Sequence, residues 1–235
     1  MVGKPSAVTR RSYADGCAAA HALDLVGERW ALLIVRELVL GPKRFSDLRA
    51  GLPGISPNVL TQRLTELEQA AIVRRRKLAP PAGARVYELT EWGLELEPVI
   101  MALGRWGARS PALPQGASIS VDALILSFRT MFDSNAASGF KGSIELRLGE
   151  QRFHADIARG RMDLERGPAT RPDAIIDAAP DTLAEVAYGA RSIAEALRSG
   201  DLGIEGDKSM VKRFLTLFPL PERAPAKIPR HEGRR

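Results

Sequence analysis

The chain has 235 residues, with Lys+Arg 34 against Asp+Glu 28, a net charge of +6 and 45 % apolar residues. That apolar content excludes a wholly disordered chain, and the single cysteine excludes an internal disulfide framework. The charge is uneven, net +5 over residues 1–112, −3 over 113–222 and +4 over 223–235, so an anionic partner is expected at the front half.

The start, "MVGKPSAVTRRSYADG", lacks the apolar core of a secretory leader, and the nearest strongly apolar run, "WALLIV", is far too short to span a membrane. A cytoplasmic protein with no membrane partner is expected. "CAAAHALDLVG" carries apolar residues at helical spacing, and "RWALLIVRELVLG" repeats the pattern before a Gly41-Pro42 stop. "FSDLRAGL" reads as a third short helix with Ser46 as its N-cap. The fourth helix is marked best: Ser56 at the cap, Pro57 at the first helical position, and Leu60, Leu64, Leu67 and Ala71 in one core-facing stripe. Asn58, Thr61, Gln62 and Thr65 fall on its other side, which carries little charge. "VRRRKLAP" and "ARVYELT" then predict two strands joined at "PAG". Thr90 caps a long helix that Pro98 should kink or split.

Helix, helix, helix, two-stranded wing, helix is the order of a winged helix–turn–helix. A helix that enters the major groove needs an apolar stripe for its own core and an uncharged or cationic polar side for the duplex. Amide side chains pair with adenine edges, and hydroxyls bond bases or phosphates. Ser56, Asn58, Thr61, Gln62 and Thr65 meet that requirement. Arg74, Arg75, Arg76, Lys77 and Arg85 of the wing, with Lys43 and Arg44 in the turn before the third helix, are the phosphate candidates. Taken singly, each feature also fits a plain solvated surface. Their order and charge together point to double-stranded DNA.

Residues 17–106 resemble the HxlR family of bacterial regulators, within the MarR-like winged helices. The resemblance is carried by Cys17, by "ALDLVGERWALLIVRELVLGPKRFSDLRAGLPGISPNVLTQRLTELEQAAIVRR" and by "RVYELTEWGLEL". Where that family usually has Gly-Lys-Trp, this chain has Gly-Glu-Arg-Trp, with Arg29 in the lysine's place. The resemblance implies a homodimeric transcription factor whose dimer is built by the first helix and the helices after the wing. Val99, Ile100, Leu103 and Trp106, at i, i+1, i+4 and i+7, are the candidate dimer contacts, and equally fit an intramolecular core. Cys17 stands where some members carry a redox-sensing thiol; a small apolar filler is the other reading. Cys17 and His21 have no further Cys or His near them in sequence to complete a metal set.

"SPALPQGAS" (110–118) reads as a linker. Beyond it, "VDALILSFRTMFD" is helical. "GSIELRLGEQRFHADIARG" alternates, with Ile144, Leu146 and Leu148 on one face, Glu145 and Arg147 on the other, and a two-residue turn at Gly149-Glu150. "RMDLERG", "DAIIDAA" and "LGIEGD" predict strands; "DTLAEVAYG", "SIAEALRSG" and "DKSMVKRFLTLF" predict helices. Residues 120–222 resemble the sterol carrier protein type 2 fold through "PDAIIDAAPDTLAEVAYG" and "EALRSGDLGIEGDKSMVKRFLTLF". That resemblance implies a mixed sheet of about five strands under helices around an apolar cavity; Phe153, Ile157, Phe214, Leu217 and Phe218 are the candidate contributors to it, and a plain core is the other reading. "GDLGIEGD" lacks the lysine and spacing of a phosphate loop.

The expected architecture is two domains: a winged helix–turn–helix over 12–111, a linker at 112–119, an α+β sterol-carrier-like domain over 120–222, and a basic, disordered tail at 223–235. The expected function is a transcriptional regulator binding a palindromic operator as a homodimer, tuned by an apolar ligand. The alternative is an apolar-ligand carrier whose winged helix serves only dimerisation. No catalytic residue, cofactor or metal is expected.

Overall fold

The computed structural model describes residues 12–79, 83–114 and 116–225. They belong to two compact units, Met1–Leu96 and Glu97–Arg235. The first contains α1 (Ala18–Val26), α2 (Ala31–Leu38), α3 (Phe45–Gly51), α4 (Pro57–Gln69), β1 (Val73–Lys77), β2 (Arg85–Leu89) and α5 (Glu91–Leu94). Its core joins Ile34, Val35 and Leu38 of α2, Leu48 of α3, and Leu60, Leu64 and Leu67 of α4, all buried. Each such leucine contributes about 1.5–3 kcal/mol by leaving water.

Two local expectations fail for identifiable reasons. The third helix starts at Phe45, not after Ser46, because Asp47 reaches back: its Oδ2 accepts the backbone N–H of Arg44 at 3.1 Å. A carboxylate at the third helical position caps the start from inside. Ser46 instead donates its hydroxyl to Asp47 Oδ1. The fourth helix starts as predicted, with Ser56 Oγ accepting the Val59 N–H at 3.3 Å and Pro57 next. It ends before Ala71, which is exposed with φ +55°. There the Ile72 N–H bonds Leu67 O and the Ala71 N–H bonds Glu68 O, both at 3.0 Å, a left-handed helix stop. The core position expected of Ala71 passes to Ile72, which is buried.

β1 and β2 pair antiparallel, Val73 opposite Leu89 and Lys77 opposite Arg85. Residues 80–82, the end of the expected first strand and the first two residues of the expected loop, lie outside the described residues. Thr90 Oγ1 accepts the Gly93 N–H and caps α5 as predicted. The expected break then comes at Glu95: Pro98 has no N–H to offer the Leu94 carbonyl four residues back, so a new helix, α6 (Leu96–Ala108), begins.

By compactness α6 falls with the second unit, which begins at Glu97. From Glu97 onward α6 is held by α7 (Val121–Met131). Arg129 pairs with Glu97 at 2.9 Å, and Arg105 donates to the Thr130 carbonyl. The second unit continues with β3 (Gly142–Leu148), β4 (Gln151–Ala158), β5 (Arg161–Arg166), β6 (Ala174–Ala178), α8 (Pro180–Ala187), α9 (Ile193–Ser199), β7 (Leu202–Gly206) and α10 (Lys208–Leu215). The sheet order is β5-β4-β3-β6-β7, with β3 and β6 parallel and the other pairs antiparallel. This is the mixed five-stranded sheet that the sterol-carrier resemblance implied. Gly149 takes φ +62° in the predicted two-residue turn.

Phe153, Ile157, Phe214, Leu217 and Phe218, the expected ligand-side residues, are all buried. Phe128 of α7 stacks on Phe218 with centroids 4.4 Å apart, and Phe214 meets Phe218 edge-on at 5.0 Å. The other sheet face holds the charged side chains, but Glu145 on it is buried. The β5–β6 connection crosses there, with Ala169 N–H bonding Glu145 Oε2 and Gly167 N–H bonding Arg152 O. Burial alone would raise the Glu145 pKa; Arg147, the Ala169 N–H and Arg152 together hold it below the ordinary carboxylate value. Of the expected tail, Ala224 donates its N–H to Arg109 O at 2.8 Å, so its first residues are tied down. Residues 226–235 lie outside the described residues. Among the described residues, no helix is long and apolar enough to cross a membrane.

Candidate nucleic-acid interface

Asn58, Thr61 and Gln62 are exposed on α4, and Thr65 is half-buried, while Leu60, Leu64 and Leu67 are sealed on the opposite side. Periodicity alone puts them there: apolar residues every three to four positions fix the inward face. Thr61 donates its hydroxyl to Pro57 O at 2.9 Å, and Thr65 donates to Thr61 O at 3.0 Å. Both protons are therefore committed to the helix, and each hydroxyl offers a lone pair outward. Gln62 Nε2 donates to Glu66 Oε1 at 3.0 Å. Ser56 is exposed at the helix start.

The cations separate into two groups. Arg74 Nε and Arg76 Nε sit on the two oxygens of Glu88, at 2.8 and 2.9 Å, from the same side of the ladder. Arg75, on the other side, pairs with Glu68 of α4 at 2.8 Å and lies 5.4 Å over the Tyr87 ring. Lys43 is drawn inward: its ammonium is 2.7 Å from Glu37, a fully buried carboxylate that also takes Arg36. Its backbone bonds Tyr87 in both directions. Four of the seven cations predicted for phosphate thus have an acidic partner within the protein. Arg44, Lys77 and Arg85 are exposed and carry no ion pair among the described residues. Lys77 and Arg85 face each other across the last register pair before the turn, a like-charge contact that is unfavourable until an anion neutralises it.

The acidic residues that sort these cations were missed from sequence. Glu66 stands four residues after Gln62, so that helical pair was readable. Glu88 became a partner only once the register placed it opposite Arg74. Arg63, also missed, joins Glu66 and, at 3.1 Å, Glu28 in the α1–α2 turn.

Cys17 is exposed at the N-cap of α1. The backbone N–H groups of Ala20 and then Ala19 favour its thiolate and lower its pKa below the ordinary thiol value. Val99 (52 % exposed), Leu103 (49 %) and Trp106 (72 %) of α6 are open to solvent and Ile100 is half-buried, so the first three are not intramolecular core. Among the described residues, no group of three or more His, Cys, Asp and Glu could hold a metal.

Residues 25–112 match the HxlR-like helix-turn-helix family model, and residues 129–219 match the SCP-2 sterol transfer family model. An uncharacterized HTH-type transcriptional regulator, YdeP of Bacillus subtilis, is 37 % identical over 97 residues, covering 40 % of this chain and 74 % of that one. The HTH-type transcriptional regulator YodB of Bacillus subtilis is 41 % identical over 85 residues, covering 36 % and 76 %. The structure of its reduced form aligns with a TM-score of 0.37 over 42 % of this chain and 98 % of that one, at 36 % identity. A double mutant of the sec-alkyl sulfatase PisA1 aligns over 44 % of this chain with a TM-score of 0.41 and 17 % identity; this chain spans 17 % of its length.

Proposed function

Because the chain belongs to the HxlR-like helix-turn-helix family, we propose that it is a cytoplasmic transcriptional regulator that binds a palindromic operator as a homodimer. The observation that carries this reading is the outer side of α4, which carries little charge, tied to the wing through Glu68 and Arg75, with the Lys77–Arg85 pair at the wing's end. α4 enters the major groove; Asn58 and Gln62 meet base edges, and Thr61 and Thr65 accept from base amino groups. Ser56 and the helix start, Arg44, Lys77 and Arg85 hold phosphates. Arg74, Arg75 and Arg76 set the wing's shape and charge more than they grip the backbone.

The dimer reading is supported by unpartnered apolar surface. α1 buries only Val26 and leaves Leu23 half exposed, and α6 presents Val99, Leu103 and Trp106. Two-fold symmetry then places half-sites about one helical turn apart, or a multiple of it. The SCP-2 match supports a second domain that takes a small apolar molecule, and this reading gives that molecule the part of an effector. The exposure of Cys17 and its lowered pKa support it as the candidate oxidant-responsive thiol over an apolar filler, and no catalytic role is assigned.

Recovery of bound duplexes from a random pool at about 0.15 M salt tests the scheme. An inverted repeat should be enriched. Enrichment of no sequence, together with tight uptake of a fluorescent fatty acid, would favour a carrier whose winged helix only dimerises.

A further inference from the structure

Gln62 does not present a freely rotating amide. Its Nε2 donates to Glu66 Oε1 at 3.0 Å, and the other oxygen of Glu66 is engaged by Arg63 Nη1 on the same helix. Arg63, only 14 % exposed, then reaches Glu28 through Nη2 at 3.1 Å. Gln62, Glu66, Arg63 and Glu28 thus form one polar chain from the outer side of α4 to the α1–α2 turn. That turn is itself braced: Trp30 takes φ +79°, and Arg29 lies 5.3 Å over its ring.

We propose that Glu66 is a specificity-determining positioning residue, which locks the Gln62 amide so that it reads adenine and rejects guanine. The inference rests on the operator-binding reading above. A carboxylate accepts and cannot donate, so it holds the Nε2 side of the amide and repels the Oε1 side. Oε1 and the second Nε2–H are then left to face the groove. An adjacent acceptor and donor match adenine N6–H and N7, whereas guanine offers two acceptors, O6 and N7. Without Glu66 the amide turns over, and the donors of its NH2 group bond guanine equally well. Arg63 and Glu28 keep the carboxylate itself from swinging away. They also offset its charge, which would otherwise repel the phosphates lining the groove.

Binding-site selection with the full chain tests this, comparing wild type, Glu66→Ala, Gln62→Ala and the double variant. Alanine is the best helix former, so α4 is kept. Glu66→Ala should lower the preference for adenine at one base pair per half-site by roughly 5- to 150-fold. Gln62→Ala should act at the same base pair, and the double variant should lose no more than Gln62→Ala alone. Affinity for unrelated duplexes should not fall in Glu66→Ala, because an acidic group has been removed beside phosphates. A merely structural role would lower specific and general binding together. Full adenine preference in Glu66→Ala, a loss at a different base pair from Gln62→Ala, or a parallel drop in general affinity would each overturn the proposal. A wild-type chain that selects no sequence would instead overturn the proposed function on which it stands.

Discussion

At the level of single residues, position decides which of two neighbouring cations is available for a ligand. Lys43 and Arg44 are neighbours in the same turn, yet Lys43 neutralises the buried Glu37 while Arg44 stays exposed. The Lys43 ammonium lies 2.7 Å from a fully buried carboxylate and is itself mostly buried, so Lys43 is committed to the fold. Cys17 shows the opposite case, an exposed group made reactive by backbone alone. The N–H groups of Ala20 and Ala19 at the α1 start stabilise the thiolate, which is the nucleophilic form. Its folded pKa is lowered, so the reactive fraction is larger near neutral pH and is lost only at lower pH than for an ordinary thiol. Iodoacetamide labelling followed against pH should therefore have its midpoint below that of a cysteine peptide run in parallel. Coincident midpoints would mean that the helix start does not act on the thiol.

At the level of elements, most of the chain was legible because caps, prolines and apolar periodicity are local signals. Ser56-Pro57 marked the α4 start, and Pro98 marked the break before α6. What escaped was set by partners distant in sequence or by unusual stereochemistry. Glu145 lies on the face that alternation assigns to solvent, and only the crossing β5–β6 connection buries it. β6, inserted parallel beside β3, could not be ordered from strand patterns, because adjacency in a sheet is a tertiary fact. The α4 stop was missed because Ala71 occupies a left-handed position that glycine usually marks. A Cβ there costs roughly 1–2 kcal/mol. Gly27, Gly51 and Gly93 would collide with neighbouring atoms if given one, but Ala71 already carries its own. Ala71→Gly should therefore raise stability by about 0.5–1 kcal/mol after the entropy of glycine in the unfolded chain is counted. Urea denaturation should show a higher midpoint with an unchanged slope; a lower midpoint would mean that the left-handed alanine carries no strain.

At the level of the whole molecule, the positive charge read from the sequence divides, in the described residues, into cations paired with internal acids and cations that are not. The net +5 of residues 1–112 predicts an anionic partner, and the run Arg74 to Lys77 suggests four phosphate anchors in a row. In the folded chain Glu68 and Glu88 hold the three arginines, and Glu37 holds Lys43. The three arginines, unlike Lys43, are half or more exposed in their pairs, and such pairs are weak, about 0–1 kcal/mol, so phosphate can displace Glu68 and Glu88 from them. Displacement gains little, however, because one anion replaces another and the freed carboxylate is left beside the duplex. Salt dependence separates the two cases. Each neutralised phosphate contributes about −0.9 to the slope of log affinity against log salt. Arg44, Lys77 and Arg85 alone, doubled in a homodimer, give a slope of about −5; adding Arg74, Arg75 and Arg76 takes it to about −11. The expected measurement is the shallower value, with Lys77→Ala reducing it by about 2 per dimer and Arg74→Ala leaving it nearly unchanged. A slope near the steeper limit would show that the internal acids yield their arginines to the backbone, and that the wing grips with its whole length rather than its end.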